Sequence, residues 1–196
     1  NLGTGVLILP YRPKMPTAKL LATAQVLSNE RLLIGVGPGY LAEEFVALGV
    51  DRTKRGKITD ETLDFLHRAF EDERVTENGQ DLILRPQPKR PPFLIGGAPQ
   101  IAIPRAVRVG DGWIPVGILP TDLKPHVDEF NQRAADAGRT PMETVVMKTL
   151  PLDSPQQATD MIGAYGDAGA TRIVHTQNYN TPAEYREIID QVTSVS

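Results

Sequence analysis

In the stretch "RLLIGVGPGY" (Arg31–Tyr40), Gly35, Gly37 and Gly39 stand on alternate positions directly after an apolar run. A backbone without side chains can approach a flat ring closely, or it can serve a strand-to-helix turn that needs glycine. The spacing is G-x-G-x-G. A dinucleotide fingerprint requires G-x-G-x-x-G and an acidic residue about 20 positions further on at a strand end, and both are missing. A second turn, "IGGAPQI" (Ile95–Ile101), is better suited to a phosphate. Gly96 and Gly97 close an apolar run, and a helical pattern begins near Pro99. Free backbone N–H groups at a helix start attract an anion, helped by the helix dipole. The alternative is a tight strand-to-helix turn. The nearest cation is Lys124, which falls on a helical segment. The chain has no Cys, and its three His residues have no metal-site spacing, so no metal is expected. His67 and His126 fall on helical segments and are expected at the surface. His175 closes the run "RIVH", where a lone His is either a site residue or a hydrogen-bonded structural one.

These residues are placed by alternating patterns. "LGTGVLILP" (Leu2–Pro10), "RLLIGVG" and "FLIGG" do not alternate apolar with polar, so each reads as a strand buried on both faces. "GWIPVG", "TVVMKTLPL" and "TRIVHTQ" are the further strands. Each is followed by a segment with apolar residues at three- and four-residue spacing, the mark of an amphipathic helix. Along one of these, Ile58, Leu63, Leu66 and Phe70 share a face. Cap signals fit: Thr121 and Ser154 at helix starts, Pro155 at a first helical position, Gly138 and Gly169 at helix ends. Asn78-Gly79 between two short strand-like runs predicts a hairpin. The Pro-rich "RPQPKRPP" after it reads as a surface excursion inside one domain over residues 1–196. The charged run Glu71 to Arg74 reads as a solvated helix end, and Trp113 as a residue packed between strand and helix. Strands alternating with helices imply a parallel sheet covered by helices, either open or closed into a barrel.

Bulk properties narrow the partners. With 196 residues and 40% apolar content the chain can build a sizeable core. The net charge of -3 argues against a nucleic acid or an anionic membrane surface as partner. No apolar stretch approaches the ~20 residues of a membrane span, and a cytoplasmic protein is the expectation. A full (β/α)8 barrel needs eight units, and the strand opening at Leu2 suggests that the first two lie upstream. The exposed sheet edges that would leave predict a homo-oligomer.

The ordered strings "LGTGVLILP", "LSNERLLIGVGPGYLAEEFVALGV…RG", "PFLIGGAPQ", "RVGDGWIPVG" and "DAGATRIVH" resemble the bacterial luciferase-like monooxygenase superfamily, in wording nearest its F420-dependent oxidoreductases. The resemblance runs nearly end to end. It implies a (β/α)8 TIM barrel of the luciferase-like type, here lacking the first two βα units, so that the six strands are strands 3 to 8. It further implies an oxidoreductase that transfers hydride or activates oxygen with the deazaflavin F420, or alternatively with FMN, on a small-molecule substrate. By that resemblance Gly5-Val6 carries a non-proline cis peptide bond behind the ring, with Ile8 beside it. Gly37, Pro38, Gly39 and Tyr40 border the ring. Gly96, Gly97, Ala98, Gln100 and Ile101 contact the phosphate tail, and His175 lines the substrate pocket. Two departures stand out: no Lys follows the next strand, where "GILPT" stands, and Tyr40 occupies a place held by an acidic Glu in some sugar-phosphate dehydrogenases. No catalytic acid or base can be named. The alternatives are a truncated, non-catalytic luciferase-like protein and an unrelated barrel enzyme acting on a phosphorylated metabolite.

Overall fold

The non-alternating apolar runs become parallel strands, and the periodic segments between them become helices. The computed structural model describes residues 1–139 and 142–195. In chain order the elements are β1 (Leu2–Ile8), α1 (Lys14–Leu27), β2 (Leu32–Gly37), α2 (Ala42–Ala47), α3 (Arg55–Glu71), β3 (Arg74–Glu77), β4 (Gln80–Ile83), β5 (Phe93–Gly96), α4 (Pro99–Val109), β6 (Gly112–Ile114), α5 (Pro120–Asp136), β7 (Glu143–Lys148), α6 (Pro155–Asp167), β8 (Arg172–His175) and α7 (Pro182–Val195). They fall into two compact units, the first made of Asn1–Gly97 with Arg108–Asp111 and the second of the remainder.

In the first unit β1 pairs in parallel with β2, and β2 with β5, in the registers Leu2↔Leu32 and Ile34↔Phe93. Ile34, Val36, Phe93 and Ile95 are buried together with Leu63, Phe65 and Leu66 of α3. Leu63, Leu66 and Phe70 are on the buried face as the spacing predicts, and Ile58 is half-buried. β3 and β4 form the expected hairpin, with Asn78 (φ 50°) and Gly79 (φ 75°) both in the left-handed region that a two-residue turn requires. The Pro-rich segment is pinned within this unit. Buried Gln25 donates to Lys89 O (3.1 Å) and accepts from Leu32 N–H (3.2 Å). Arg90 makes a two-pronged ion pair with Asp111 at 2.6 and 2.9 Å, and Phe93 N–H donates to the same carboxylate at 2.7 Å. Charge-assisted pairs of this geometry are the strong ones.

One expectation for this unit is corrected. β1 is not buried: Leu2, Gly3 and Gly5 are exposed and the rest of the strand is half-buried. Among the described residues its only strand partner is β2, so the apolar composition of this run reflects a strand with one uncovered side. His67 is also not a free surface residue. Its Nε2 lies 2.8 Å from Val109 O, and its ring meets Phe93 edge-on at 5.6 Å. Residues 71–74 are exposed, as a solvated helix end should be.

In the second unit β6 pairs with β7 and β7 with β8, again in parallel. Trp113 is fully buried and His126 of α5 stands edge-on to it at 6.2 Å, so this His too is a packing residue rather than a surface one. Tyr165 is buried and donates to Ile118 O at 2.6 Å. Leu150, Leu152, Ala158 and Val195 form a cluster joined by Ile173, Ile188 and Val192. Two cap expectations need correction. Leu119 caps α5, with Pro120 at its first position, so Thr121 is already inside the helix. Ser154 does cap α6, but its hydroxyl makes no capping hydrogen bond. Pro residues with preset φ mark these starts more strongly than hydroxyls do. The helix ends fall where expected: Gly138 has φ 66° and Gly169 φ 92°. Among the described residues no helix is long and apolar enough to cross a membrane.

Gly163 lies inside α6 with nothing within 4 Å of where a Cβ would be. Gly163→Ala should therefore raise stability by about 0.5–1 kcal/mol. Gly169→Ala should lower it, because its Cβ would sit 2.7 Å from Val127 Cγ1 on a positive φ. Thermal melting of the two variants checks both signs.

Candidate functional site

The alternate glycines are explained by the strand beside them. Between Thr4 and Leu7 the register of β1 against β2 shifts, from Thr4↔Ile34 to Leu7↔Val36, so β1 carries one extra residue there. The Gly5-Val6 peptide within this bulge is cis, as the family resemblance implies. The bulge presses on β2. A Cβ on Gly35 would lie 2.2 Å from Thr4 O, and one on Gly37 would lie 2.8 Å from Val6 Cγ2. Thr4 Oγ1 closes the contact by donating to Gly35 O at 2.8 Å. Gly39, at φ 76°, continues the pattern beyond the strand: its Cβ would meet Ile8 Cγ2 at 2.9 Å and both Phe45 Cζ and Tyr11 Oη at 3.1 Å. All three glycines are thus required by the chain's own close approaches.

The result is a small cluster at the C-terminal ends of β1 and β2. It brings together Gly5, Val6, Ile8, Gly37, Pro38, Gly39 and Tyr40. Val6, Ile8, Pro38 and Gly39 are half-buried, and Tyr40 stands out into solvent at 76% exposure. The register Val36↔Ile95 sets Gly96 of β5 at the same sheet end as Gly37. Gly97 follows with φ 129° and is exposed.

At the start of α4 the supply of N–H donors is smaller than the sequence suggests. Pro99, the first helical residue, has no N–H. Ile101 N–H is turned back on Ala98 O at 3.0 Å, and Ala102 N–H bonds the same oxygen at 2.8 Å. The side chains of Gln100 and Ile101 are exposed. Lys124 is held by Asp128 at 3.3 Å.

His175, in the second unit, ends β8. Leu150 N–H donates to its Nδ1 at 3.0 Å, and its Nε2 lies 2.9 Å from Gln177 Oε1. Because Nδ1 accepts from a backbone amide, the ring proton is on Nε2 and is donated to the Gln177 amide oxygen. Among the described residues no group of His, Asp and Glu is arranged to hold a metal ion.

In the sequence Glu44 is visible only as a residue that follows the glycine turn, and nothing marks Thr4 or Tyr11 as neighbours of this cluster. Tyr11 OH donates to Glu44 Oε2 at 2.8 Å. The pair is separated by 33 positions, and no local periodicity signals it.

Half-buried apolar side chains on a strand bulge, a side-chain-free turn beside them and the glycine end of β5 thus stand at one end of the sheet. Comparison with known proteins gives the family and the fold. The model of the luciferase-like monooxygenase family matches residues 1–194. A protein of Mycobacterium tuberculosis, not characterized, is 31% identical over 176 residues, covering 86% of this chain; the chain spans 59% of that relative's length. Among solved structures, an F420-dependent secondary alcohol dehydrogenase bound to an F420-acetone adduct superposes with TM-score 0.76 at 16% identity, covering 99% of this chain and 79% of its own. The oxygenating constituent of 3,6-diketocamphane monooxygenase from Pseudomonas putida, bound to FMN, superposes with TM-score 0.78 at 14% identity, covering 97% and 77%. The fold is that of the luciferase-like TIM barrels, of which this chain carries six parallel strands.

Gly35→Ala should cost roughly 3 kcal/mol, since the added methyl meets backbone that cannot move without breaking the bulge. Gly37→Ala should cost less, because its clash is with the side chain of Val6. Denaturant unfolding of the two variants checks the order. The chain belongs to the luciferase-like monooxygenase family.

Proposed function

We propose that the protein is an oxidoreductase that uses F420, with FMN as the alternative, on a small-molecule substrate. One observation carries the reading: the glycine run of β2 seats the β1 bulge so that Val6 and Ile8 form an apolar ledge at the sheet end shared by Gly37 and Gly96. The family match and the likeness to both an F420 and an FMN structure support it. The family match also removes the alternative of an unrelated barrel enzyme.

In this reading Val6 and Ile8 back the ring, and Gly37, Pro38, Gly39 and Tyr40 border its edge. Gly96, Gly97 and Ala98 give the tail room beside the backbone. The positive end of α4 would favour its phosphate, with the exposed Gln100 and Ile101 as contacts. His175, whose Nδ1 accepts from Leu150 N–H, is the residue proposed for contact with the substrate. The chemistry such a cofactor supplies when bound is hydride transfer or oxygen activation; the protein supplies position and electrostatics. The exposed side of β1 would be covered by further strands or by another copy of the chain, and we include a homo-oligomer in the proposal.

Fluorescence titration of the purified protein with F420 and with FMN tests the reading. Saturable binding of at least one is expected. Gly97→Val should weaken it about tenfold, or 1.4 kcal/mol, while leaving a tail-less deazaflavin fragment nearly unaffected. Gly39→Val should weaken both ligands alike. Binding of neither cofactor would overturn the proposal and leave the non-catalytic reading.

A further inference from the structure

We propose that Tyr11 and Glu44 are a positioning pair that holds the Gly37–Tyr40 turn and the short helix α2 in place. The ring-binding consequence of this rests on the reading above; the pair itself does not.

Three observations converge on it. First, α2 has only six residues, Leu41 at its N-cap offers no side-chain hydrogen bond, and Val46 is 81% exposed. So short a helix does not hold itself together in water and must be fastened by tertiary contacts. Phe45 is its one buried residue. Second, Tyr11 supplies the other contacts. It ends the 3-10 turn Leu9–Tyr11 directly after β1. Its ring meets Phe45 edge-on, with centroids 4.9 Å apart and planes at 76°. Its hydroxyl donates to Glu44 Oε2 at 2.8 Å, and the carboxylate lies in the first turn of α2, where the helix dipole favours it. Third, the turn lies against this pair. A Cβ on Gly39 would be 3.1 Å from Tyr11 Oη and 3.1 Å from Phe45 Cζ. Tyr11 and Phe45 therefore form the surface on which Gly39 rests, and Glu44 fixes the Tyr11 hydroxyl there.

The electrostatics keep the pair in its donating state. Partial desolvation raises the Tyr11 phenol above its ordinary value, the hydrogen bond and charge of Glu44 raise it further, and Tyr40 adds to this while Arg52 opposes it. The hydroxyl stays protonated and the carboxylate remains its acceptor.

Hydrogen exchange of the α2 amides tests the proposal without any cofactor. Leu48 N–H and Val50 N–H, which donate to Glu44 O and Phe45 O, are the reporters. Tyr11→Phe keeps the ring on Phe45 and removes only the hydroxyl. It and Glu44→Ala should each speed exchange on the order of tenfold, as loss of a hydrogen bond to a charged group does. The double variant should be no faster than either single one, because both remove the same bond. Glu44→Gln, whose amide oxygen can still accept, should exchange as the wild type does. Unchanged α3 amides show that each variant is folded. Wild-type exchange in Tyr11→Phe, additive singles, or Glu44→Gln behaving like Glu44→Ala would each overturn the pair. Titration of the same variants with F420 and FMN separates the two proposals. Weaker binding together with faster exchange supports both; faster exchange with wild-type binding supports the pair and overturns the placement of the ring against this turn.

Discussion

The close approach of β1 to β2 at Thr4 and Gly35 is the constraint on which the rest of the site depends. An extra residue in β1 pushes its backbone toward its neighbour, and only a residue without a side chain can stand opposite: a Cβ there would lie 2.2 Å from a carbonyl oxygen. Two residues on, the same bulge brings Val6 over Gly37, and beyond the strand Ile8 over Gly39. Side chains in a strand repeat every second residue, so a bulge that leans on one face of β2 imprints itself as glycine at alternate positions. G-x-G-x-G is therefore the imprint of a neighbouring strand. The phosphate loop it superficially suggests would require the third glycine one residue later.

That constraint explains why the element order was readable from the sequence while several details were not. The βα alternation came through because parallel strands with helical neighbours are continuous apolar runs, and β2 and β5 behave so. The Asn78-Gly79 hairpin came through because its turn demands two positive φ values, which those residue types tolerate. β1 shows the limit. Its composition matches a strand covered on both faces, but composition records what covers a residue in the assembled fold, and among the described residues only β2 pairs with it. Thr121 was read as a cap because its hydroxyl suits one, but Pro120 already sets the helical φ one residue earlier.

The site was legible in parts for the same reason. Glycines and helix starts are local signals, so the two turns could be picked out by eye. What holds them is non-local. Thr4 reaches Gly35 across 31 positions, and Tyr11 reaches Glu44 across 33. Nothing in either neighbourhood announces such a partner, and a Tyr followed by Arg and Pro reads as an ordinary turn. His175 illustrates the converse. Its position at a strand end was plain, but whether its ring nitrogens were free or occupied depended on Leu150 and Gln177, and the structure occupies both.

Rigidity is unevenly distributed around the Gly37–Tyr40 turn. The inner wall is made of strand residues whose neighbours leave no room to move: Gly35 and Gly37 are buried and flanked by buried Ile34 and Val36. The outer wall is a turn and a six-residue helix with exposed Val46 and Leu48. Segments with few buried apolar contacts are the ones that open at low free energy. The fold thus places the buried glycines of β2 on one side and the short, partly exposed α2 on the other, with Tyr11 standing between them in contact with both the Gly39 turn and Phe45 of the helix.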